Sequence, residues 1–220
     1  RAGILQDNKF IKEMECQLSA PKGSLGVMAE ADFMSSIKGL YACGETLAMP
    51  CVGGNLAHAS TSGAATGKAA ASFIKEVPVS QPDKKKADEY KEITYGPLWR
   101  KEGIEPEQVI LAIQEVIIPY DVLVLKEGNR LKKALEKVEE IREDQAAYLH
   151  AYDPHYLMVA HEANNMLLQA ETQLRAAIIR EESRFTMRED FPYIDDINWL
   201  KWVMIKKDKK GPSFFTKDVP

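Results

Sequence analysis

The sequence predicts three parts in chain order: an α/β segment, an α-helical three-helix bundle and a short extended C-terminal hairpin. Composition separates the first part from the second, because arginine is absent between Arg1 and Arg100 and is common afterwards. Residues 39–72 are rich in Gly, Ala, Ser and Thr. In the second half, apolar residues recur every three to four positions, which indicates amphipathic helices.

The α/β segment is predicted from a strand, a loop and a helix. A short apolar run lies between Gly39 and Gly44 and is typical of a buried strand, although its brevity leaves a helix as the alternative. A glycine-bearing loop follows at 46–54. Residues 55–76 contain small side chains and no proline, which predicts a closely packed helix. Strand, glycine-rich loop and helix form the arrangement that holds phosphates or dinucleotides at a helix N-terminus.

Three helices are predicted in the second half, and their packing gives the three-helix bundle. The first two are expected at 107–118 and 122–147. The third is expected to begin at Asp153, because a capping residue followed by proline favours a helix start, and to end near residue 182. One face of this third helix is predicted to carry Leu157, His161, Asn164, Leu168, Glu171, Leu174 and Ile178.

The domain boundary is placed at an exposed connection that contains two prolines and a lysine run. We expect the first α/β domain at 1–76, the linker at 77–88, the helical bundle domain at 89–190 and an extended tail at 191–220. Within the tail, residues 199–206 and 213–219 are expected to form a hairpin or a pair of extended segments.

Composition excludes several classes of function for this chain of 220 residues. The net charge of −4 leaves no excess of positive charge, so nucleic acid is not an expected partner. No apolar run approaches the roughly 20 residues of a membrane span. The three cysteines have irregular spacing and include no C-x-x-C pair, so no disulfide framework or metal site is expected. These features predict a reduced, cytoplasmic protein.

Two neighbouring features of the first domain are candidate ligand-binding groups. At the end of the predicted strand, the Glu45 carboxylate is placed to accept hydrogen bonds from sugar or ribityl hydroxyls, and Gly44 lets the backbone approach a ligand. The start of the following helix can present N–H groups to a phosphate or a heterocycle carbonyl. A tightly packed helix is the alternative interpretation of the same residues. His58 lies at the mouth of this loop, and a lone histidine is more often structural than catalytic.

Polar residues of the second half favour structural roles. His161, Asn164 and Glu171 lie among apolar positions, where polar groups usually pair with one another. Residues 180–184 and 188–190 alternate arginine with acidic residues, and this mixture of signs predicts an ion-pair network at a helix end.

Two ordered motifs resemble a known family. Residues 37–45 read IKGLYACGE and lead into a small-residue helix that reads GKAAA at 67–71, which resembles the second FAD-binding segment of the succinate dehydrogenase/fumarate reductase flavoprotein family. Between residues 182 and 201, the motifs ESR, REDFP and DDINWLK resemble the C-terminal signature of that family. Residues 162–184 look most like the flavin subunit of adenylylsulfate reductases.

This resemblance implies that the first domain completes an FAD-binding fold in an FAD-dependent oxidoreductase. Glu45 is then expected to bind the ribose or ribityl hydroxyls of FAD, and the helix start to touch the pyrimidine edge of the isoalloxazine. His58 is the candidate catalytic residue, on the substrate side or as a proton donor. The implied cofactor-binding residues are Gly44, Glu45, Asn55, Ala59, Ser60 and Thr61.

The resemblance also implies partners. Flavoproteins of the family begin with a βαβ unit whose G-x-G-x-x-G holds the FAD pyrophosphate, and this sequence has no such motif. We therefore expect an N-terminal half of the flavoprotein on the same or a separate chain, an iron–sulfur subunit and a small-molecule substrate. Two alternatives stay open: a non-catalytic helical interaction module, and an enzyme of the fumarate reductase or succinate dehydrogenase type. The absence of arginine between Arg1 and Arg100 disfavours a dicarboxylate substrate.

Overall fold

Helices dominate the part of the chain that the structure, a computed structural model, describes. The described residues are 5–6, 9–10, 26–48, 55–78, 81–184, 187–208 and 211–219. Their α-helices are α1 (Asn55–Glu76), α2 (Lys84–Trp99), α3 (Pro106–Ile117), α4 (Tyr120–Leu123), α5 (Gly128–Asp144), α6 (Pro154–Ile179) and α7 (Asp196–Trp199). Two 3-10 turns lie at Gly44–Thr46 and Ala146–Tyr148. Within these ranges no helix is long and apolar enough to cross a membrane.

Three pairs of short strands complete the described structure. β1 (Leu5–Gln6) and β2 (Lys9–Phe10) are antiparallel, whereas β3 (Leu125–Lys126) and β4 (Met187–Arg188) are parallel. The eight-residue strands β5 (Lys201–Asp208) and β6 (Gly211–Asp218) form an antiparallel hairpin, and Lys201 pairs with Asp218 at its open end. The predicted C-terminal hairpin is therefore confirmed.

The hydrophobic core lies where α3, α5 and α6 contact one another. Val109 and Ile113 of α3, and Leu131 and Val138 of α5, are completely buried in it. α3 begins at Pro106, where proline is favoured because its missing N–H needs no helical partner. Removing these aliphatic side chains from water is the main stabilising contribution to this part of the chain.

The buried face of α6 differs from the prediction. Leu168 is 60% exposed and Asn164 is also exposed, so the predicted face is wrong at these two positions near the middle of the helix. The side chains that α6 buries are Val159, Ala160, Ala163, Leu167, Ala170, Glu171 and Leu174. Alanine is frequent on this face because its small side chain lets α3 and α5 approach closely. The helix also ends at Ile179 rather than near residue 182, and Arg180 is already extended.

The single helix predicted at 122–147 is wrong, because the chain there forms α4, β3 and α5. Two contacts with the later segment cause the interruption. β3 pairs with β4, and the Gly128 N–H donates to Asp190 Oδ2 at 3.0 Å. Glu127 then caps α5 by accepting hydrogen bonds from the Asn129 and Arg130 N–H groups, both at 3.0 Å.

The first domain keeps the predicted helix but not the predicted strand. α1 has the predicted bounds, whereas Tyr41 makes only an isolated bridge with Met34. Gly39 and Gly44 have φ angles of +84° and +61°, which interrupt the extended backbone. α2 begins at Lys84, inside the segment assigned to the linker, and Asp83 caps it. The domain boundaries stay predictions.

Candidate functional site

The Gly44 turn is fastened to α1 by two hydrogen bonds. The Gly44 N–H donates to Ser62 Oγ at 2.9 Å, and its carbonyl oxygen lies 3.2 Å from His58 Nε2. A left-handed φ of +61° at Gly44 aims both backbone groups at the helix, and residues with a side chain rarely adopt that conformation. The turn and the helix start therefore form one fixed unit.

Ser62 is the residue of this unit that sequence reasoning missed. Its side chain is buried, and its hydroxyl donates to the His58 carbonyl at 2.6 Å while it accepts from Gly44. Ser62 lies one helical turn after His58, so the two side chains share a face of α1. That spacing is the only sequence signal for the pair, because the contact with Gly44 spans 18 residues.

His58 contacts the turn rather than pointing away from it. Because a carbonyl oxygen only accepts, the ring carries its proton on Nε2 in this contact. The half-buried ring therefore positions Gly44. The predicted catalytic role of His58 stays a prediction.

The remaining predicted cofactor-binding residues surround the turn. Glu45, Ala59, Ser60 and Thr61 are exposed, and a Cβ added to Gly44 would lie 3.5 Å from the Ala59 Cβ. Exposed groups of the turn and of the first helical residues are therefore close neighbours. Asn55 begins α1, but its side chain and the loop at 49–54 lie outside the described residues.

The electrostatics of this unit suit a polar ligand that contains both hydroxyls and a ring. Glu45 supplies carboxylate oxygens that accept from hydroxyls, and the first turn of α1 contains no acidic residue to oppose an electron-rich group. Thr61 already donates to the Ala57 carbonyl at 2.7 Å, so its hydroxyl has only acceptor capacity left. An FAD ribityl chain and pyrimidine edge fit this set of groups.

The ion-pair network predicted near the end of α6 is confirmed. Glu182 is 1% exposed and accepts from Arg180, from Arg184 at 2.7 and 2.9 Å, and from the Asp195 N–H at 3.1 Å. Burial alone would raise the pKa of Glu182, but these hydrogen bonds outweigh it and lower the pKa below its ordinary value. Arg188, also buried, pairs with Asp190.

Glu171 and His161 have structural partners as well, although not each other. Glu171 pairs with Arg142 and with Arg175, and His161 Nε2 donates to the Thr94 carbonyl at 2.9 Å. The first contact joins α5 to α6, and the last joins α2 to α6. These residues therefore connect helices, as the structural interpretation predicts.

Comparisons with known proteins agree with this architecture. Residues 113–220 match the family model described as the fumarate reductase flavoprotein C-terminus. The chain is 31% identical over 183 residues to an uncharacterized FAD-dependent oxidoreductase of Methanocaldococcus jannaschii. The aligned region covers 80% of this chain and 33% of the relative.

Two solved structures have a similar fold. An adenosine-5-phosphosulfate reductase in complex with sulfite is 26% identical with a TM-score of 0.73, over 86% of this chain and 33% of that one. A variant of the FrdA quinol fumarate reductase of E. coli is 21% identical with a TM-score of 0.75, and the match covers 88% of this chain and 36% of that one. This chain thus spans about a third of the length of its relatives. The comparisons thus agree on one kind of protein: residues 113–220 are similar to the C-terminal part of fumarate reductase flavoproteins, and 80% of the chain is similar to an FAD-dependent oxidoreductase.

Proposed function

We propose that this chain is the C-terminal portion of an FAD-dependent oxidoreductase subunit that moves electrons between a small substrate and an iron–sulfur partner. The observation that carries the proposal is the Gly44 turn, which Ser62 and His58 fasten to α1 beside the exposed Glu45. The relationship to the FAD-dependent oxidoreductase of Methanocaldococcus jannaschii supports FAD as the ligand of this unit.

Each part of the unit has a distinct task toward FAD. Glu45 accepts hydrogen bonds from the ribose or ribityl hydroxyls, and the left-handed turn at Gly44 holds it beside α1. The residues at the start of α1 bind the pyrimidine edge: Asn55, Ala59, Ser60 and Thr61. FAD carries the redox chemistry when bound, and the protein supplies its position and its electrostatic environment.

His58 is proposed as a substrate-side group that donates a proton. Because its Nε2–H is already engaged with Gly44, the substitution His58→Gln separates two roles: a glutamine amide keeps a donor for the carbonyl but cannot transfer a proton. A catalytic His58 predicts that this variant retains FAD and loses turnover. Turnover equal to that of the unsubstituted enzyme would leave His58 with the positioning role alone.

The iron–sulfur cluster is assigned to a partner subunit. Clusters of the common types are held by four cysteine ligands, whereas this sequence has three cysteines at scattered positions. The G-x-G-x-x-G unit for the FAD pyrophosphate is likewise assigned to an upstream half of the flavoprotein, since the sequence contains no such motif.

The substrate is proposed to be of the adenylylsulfate type rather than a dicarboxylate. Arginine is the side chain best suited to hold a carboxylate with two parallel hydrogen bonds, and the first domain has none after Arg1. The fold similarity to an adenosine-5-phosphosulfate reductase supports this choice. Faster turnover of fumarate or succinate than of adenylylsulfate by the assembled enzyme would contradict it.

The test of FAD binding uses the assembled flavoprotein, in which this chain is joined by its upstream half. Glu45→Gln is expected to weaken FAD binding about tenfold or more, because the amide accepts less strongly and introduces a competing donor. Glu30→Gln is the matched control, since Glu30 is an exposed glutamate of the same segment. Equal FAD affinity in the two variants would reject the role of Glu45. Absence of flavin from the assembled, unsubstituted protein would favour the non-catalytic interaction module.

A further inference from the structure

One strand of the C-terminal hairpin packs mainly against the other. β5 contacts α6, and Arg180 donates to the Lys201 carbonyl at the start of β5, whereas the contacts of β6 are chiefly with β5. The described residues place no third strand beside β6. A hairpin of two strands is only marginally stable in water, and further pairing stabilises it. β6 is therefore an edge strand with an open side.

The register of the hairpin shows which backbone groups face that open side. The Val219 N–H donates to the Leu200 carbonyl at 3.1 Å, and hydrogen-bonded pairs alternate along an antiparallel ladder. Counted from this bond, the N–H and C=O groups of Phe214, Thr216 and Asp218 point away from β5. No other described residue makes a backbone hydrogen bond to these outward groups. β6 therefore presents a row of donors and acceptors on which another strand can pair.

Charge selects the kind of strand that this edge accepts. Residues 201–218 contain six lysines and two aspartates, a net charge of +4 in a chain whose net charge is −4. Lys217 lies on β6 itself and is exposed. Pairing with the hairpin of a second copy would bring lysines together, and like charges oppose it. An acidic strand instead meets charge of the opposite sign.

An exposed aromatic ring lies beside this lysine. Phe215 is 46% exposed and lies on the same face of β6 as Lys217, because side chains two residues apart in a strand point the same way. A strand laid along β6 places its own side chains opposite both residues. Apolar side chains of that strand then cover the phenyl ring, and its carboxylates reach the ammonium group.

We infer that β6 is a docking edge for an acidic extended segment of a partner protein, which adds to the hairpin as a third strand. In this mode of recognition the main-chain hydrogen bonds give affinity and the side chains give specificity. Pro212 also lies at an outward position and has no N–H, so the added strand pairs over residues 213–218. This interface goes beyond the proposed FAD chemistry and does not depend on it.

Peptide binding tests this docking in the assembled flavoprotein. The probe is a fluorescent peptide as long as β6 that alternates glutamate with valine, and fluorescence anisotropy measures its affinity. Two further peptides are controls: one has lysine in place of glutamate, and one is methylated at every backbone nitrogen and so has no N–H to donate. The glutamate peptide is expected to bind about tenfold or more tightly than either control.

Substitutions on β6 provide matched controls in the protein. Thr216→Pro removes an outward N–H and no hydrogen bond of the hairpin, as Pro212 does at an equivalent position of the same strand. It is expected to weaken binding of the glutamate peptide about tenfold, whereas Thr216→Val keeps the N–H and is expected to leave binding unchanged. Lys217→Gln is expected to weaken binding about threefold, and the exposed Lys84→Gln on α2 is its control.

Other outcomes overturn the inference. No binding of the glutamate peptide, or equal binding of the methylated peptide, means that β6 does not accept a strand. If Thr216→Pro loses the hairpin, the methylated peptide decides this point with the protein unchanged. Equal binding of the lysine peptide means that charge does not select the partner.

Two further results assign the edge to a different occupant and also overturn the inference. Binding by the 220-residue chain that is lost in the assembled flavoprotein means that the upstream half occupies the edge. Binding of phosphatidylserine vesicles without binding of the glutamate peptide means that the lysines contact a lipid surface rather than a protein.

Discussion

Removal of the Glu182 charge is expected to destabilise the junction between α6 and the C-terminal hairpin. The carboxylate bonds Arg180, Arg184 and the Asp195 N–H, and Arg180 in turn donates to the carbonyls of Trp199 and Lys201. Glu182 therefore holds the arginine that ties the start of β5 to the end of α6.

The magnitude follows from burial. Breaking a buried ion pair by removal of one partner costs about 3–5 kcal/mol. The side chain of Glu182 is 0% exposed, whereas Arg180 and Arg184 are 26% and 23% exposed and keep part of their hydration. We therefore expect Glu182→Gln to cost about 3 kcal/mol, at the lower end of that range. In a chain of this size the unfolding temperature falls by about 6–12 °C.

Urea denaturation of Glu182→Gln measures this loss directly. Glu181→Gln is the matched control, because Glu181 is the exposed neighbour in the sequence and its substitution is expected to change the free energy of unfolding by less than about 0.5 kcal/mol. A free energy of unfolding of Glu182→Gln within about 0.5 kcal/mol of this control would mean that burial of the ion pair does not set its contribution.

Three further predictions concern the helical domain. Burial raises the pKa of Glu171 and Glu182 but arginine hydrogen bonds outweigh it, and Arg188 lowers the pKa of Asp190. These carboxylates therefore stabilise the fold fully above their unfolded-state pKa values of 4.5 and 3.8, and the stabilisation is lost as the pH falls through their lower folded-state pKa values. In urea titrations the free energy of unfolding is expected to decrease below about pH 4.5. A free energy of unfolding that stays constant down to about pH 3 would contradict this. Gly103→Ala is expected to cost about 1–3 kcal/mol, because its Cβ would lie 2.2 Å from the Tyr148 carbonyl oxygen. Gly96→Ala is the control, since its Cβ meets nothing within 4 Å, and equal effects of the two would count against the steric argument. Leu131→Ala is expected to cost about 2–5 kcal/mol in a thermal or urea melt, and Leu168→Ala less than about 0.5 kcal/mol; the reverse order would place the core elsewhere.

Local sequence patterns predicted the elements that depend on local properties. The bounds of α1 follow from a run of small residues without proline, and the hairpin follows from two apolar segments around a polar turn. The helix predicted at 107–118 agrees with α3 to within one residue at each end. The motif at 37–45, which combines the glycines of the turn with Glu45 in a fixed order, pointed to the same family as the model that matches residues 113–220.

The errors arose where distant parts of the chain decide the structure. A helix over 122–147 satisfies the apolar spacing, but β3 pairs with a strand about 60 residues later, which no local pattern contains. The face of α6 was mispredicted because its alanines, rather than its larger residues, face the partner helices. Ser62 was missed as part of the site because its partner Gly44 lies 18 residues away and only the positive φ of that glycine brings them together.

A native mass spectrum of the protein purified under gentle conditions, followed by release of its ligands, tests most directly whether this chain completes an FAD site. We expect a species heavier than the 24.7 kDa chain that contains the upstream half of the flavoprotein and releases FAD. An assembled species that contains the upstream half and releases no flavin would contradict the claim that the Gly44–Glu45 turn and α1 complete an FAD site.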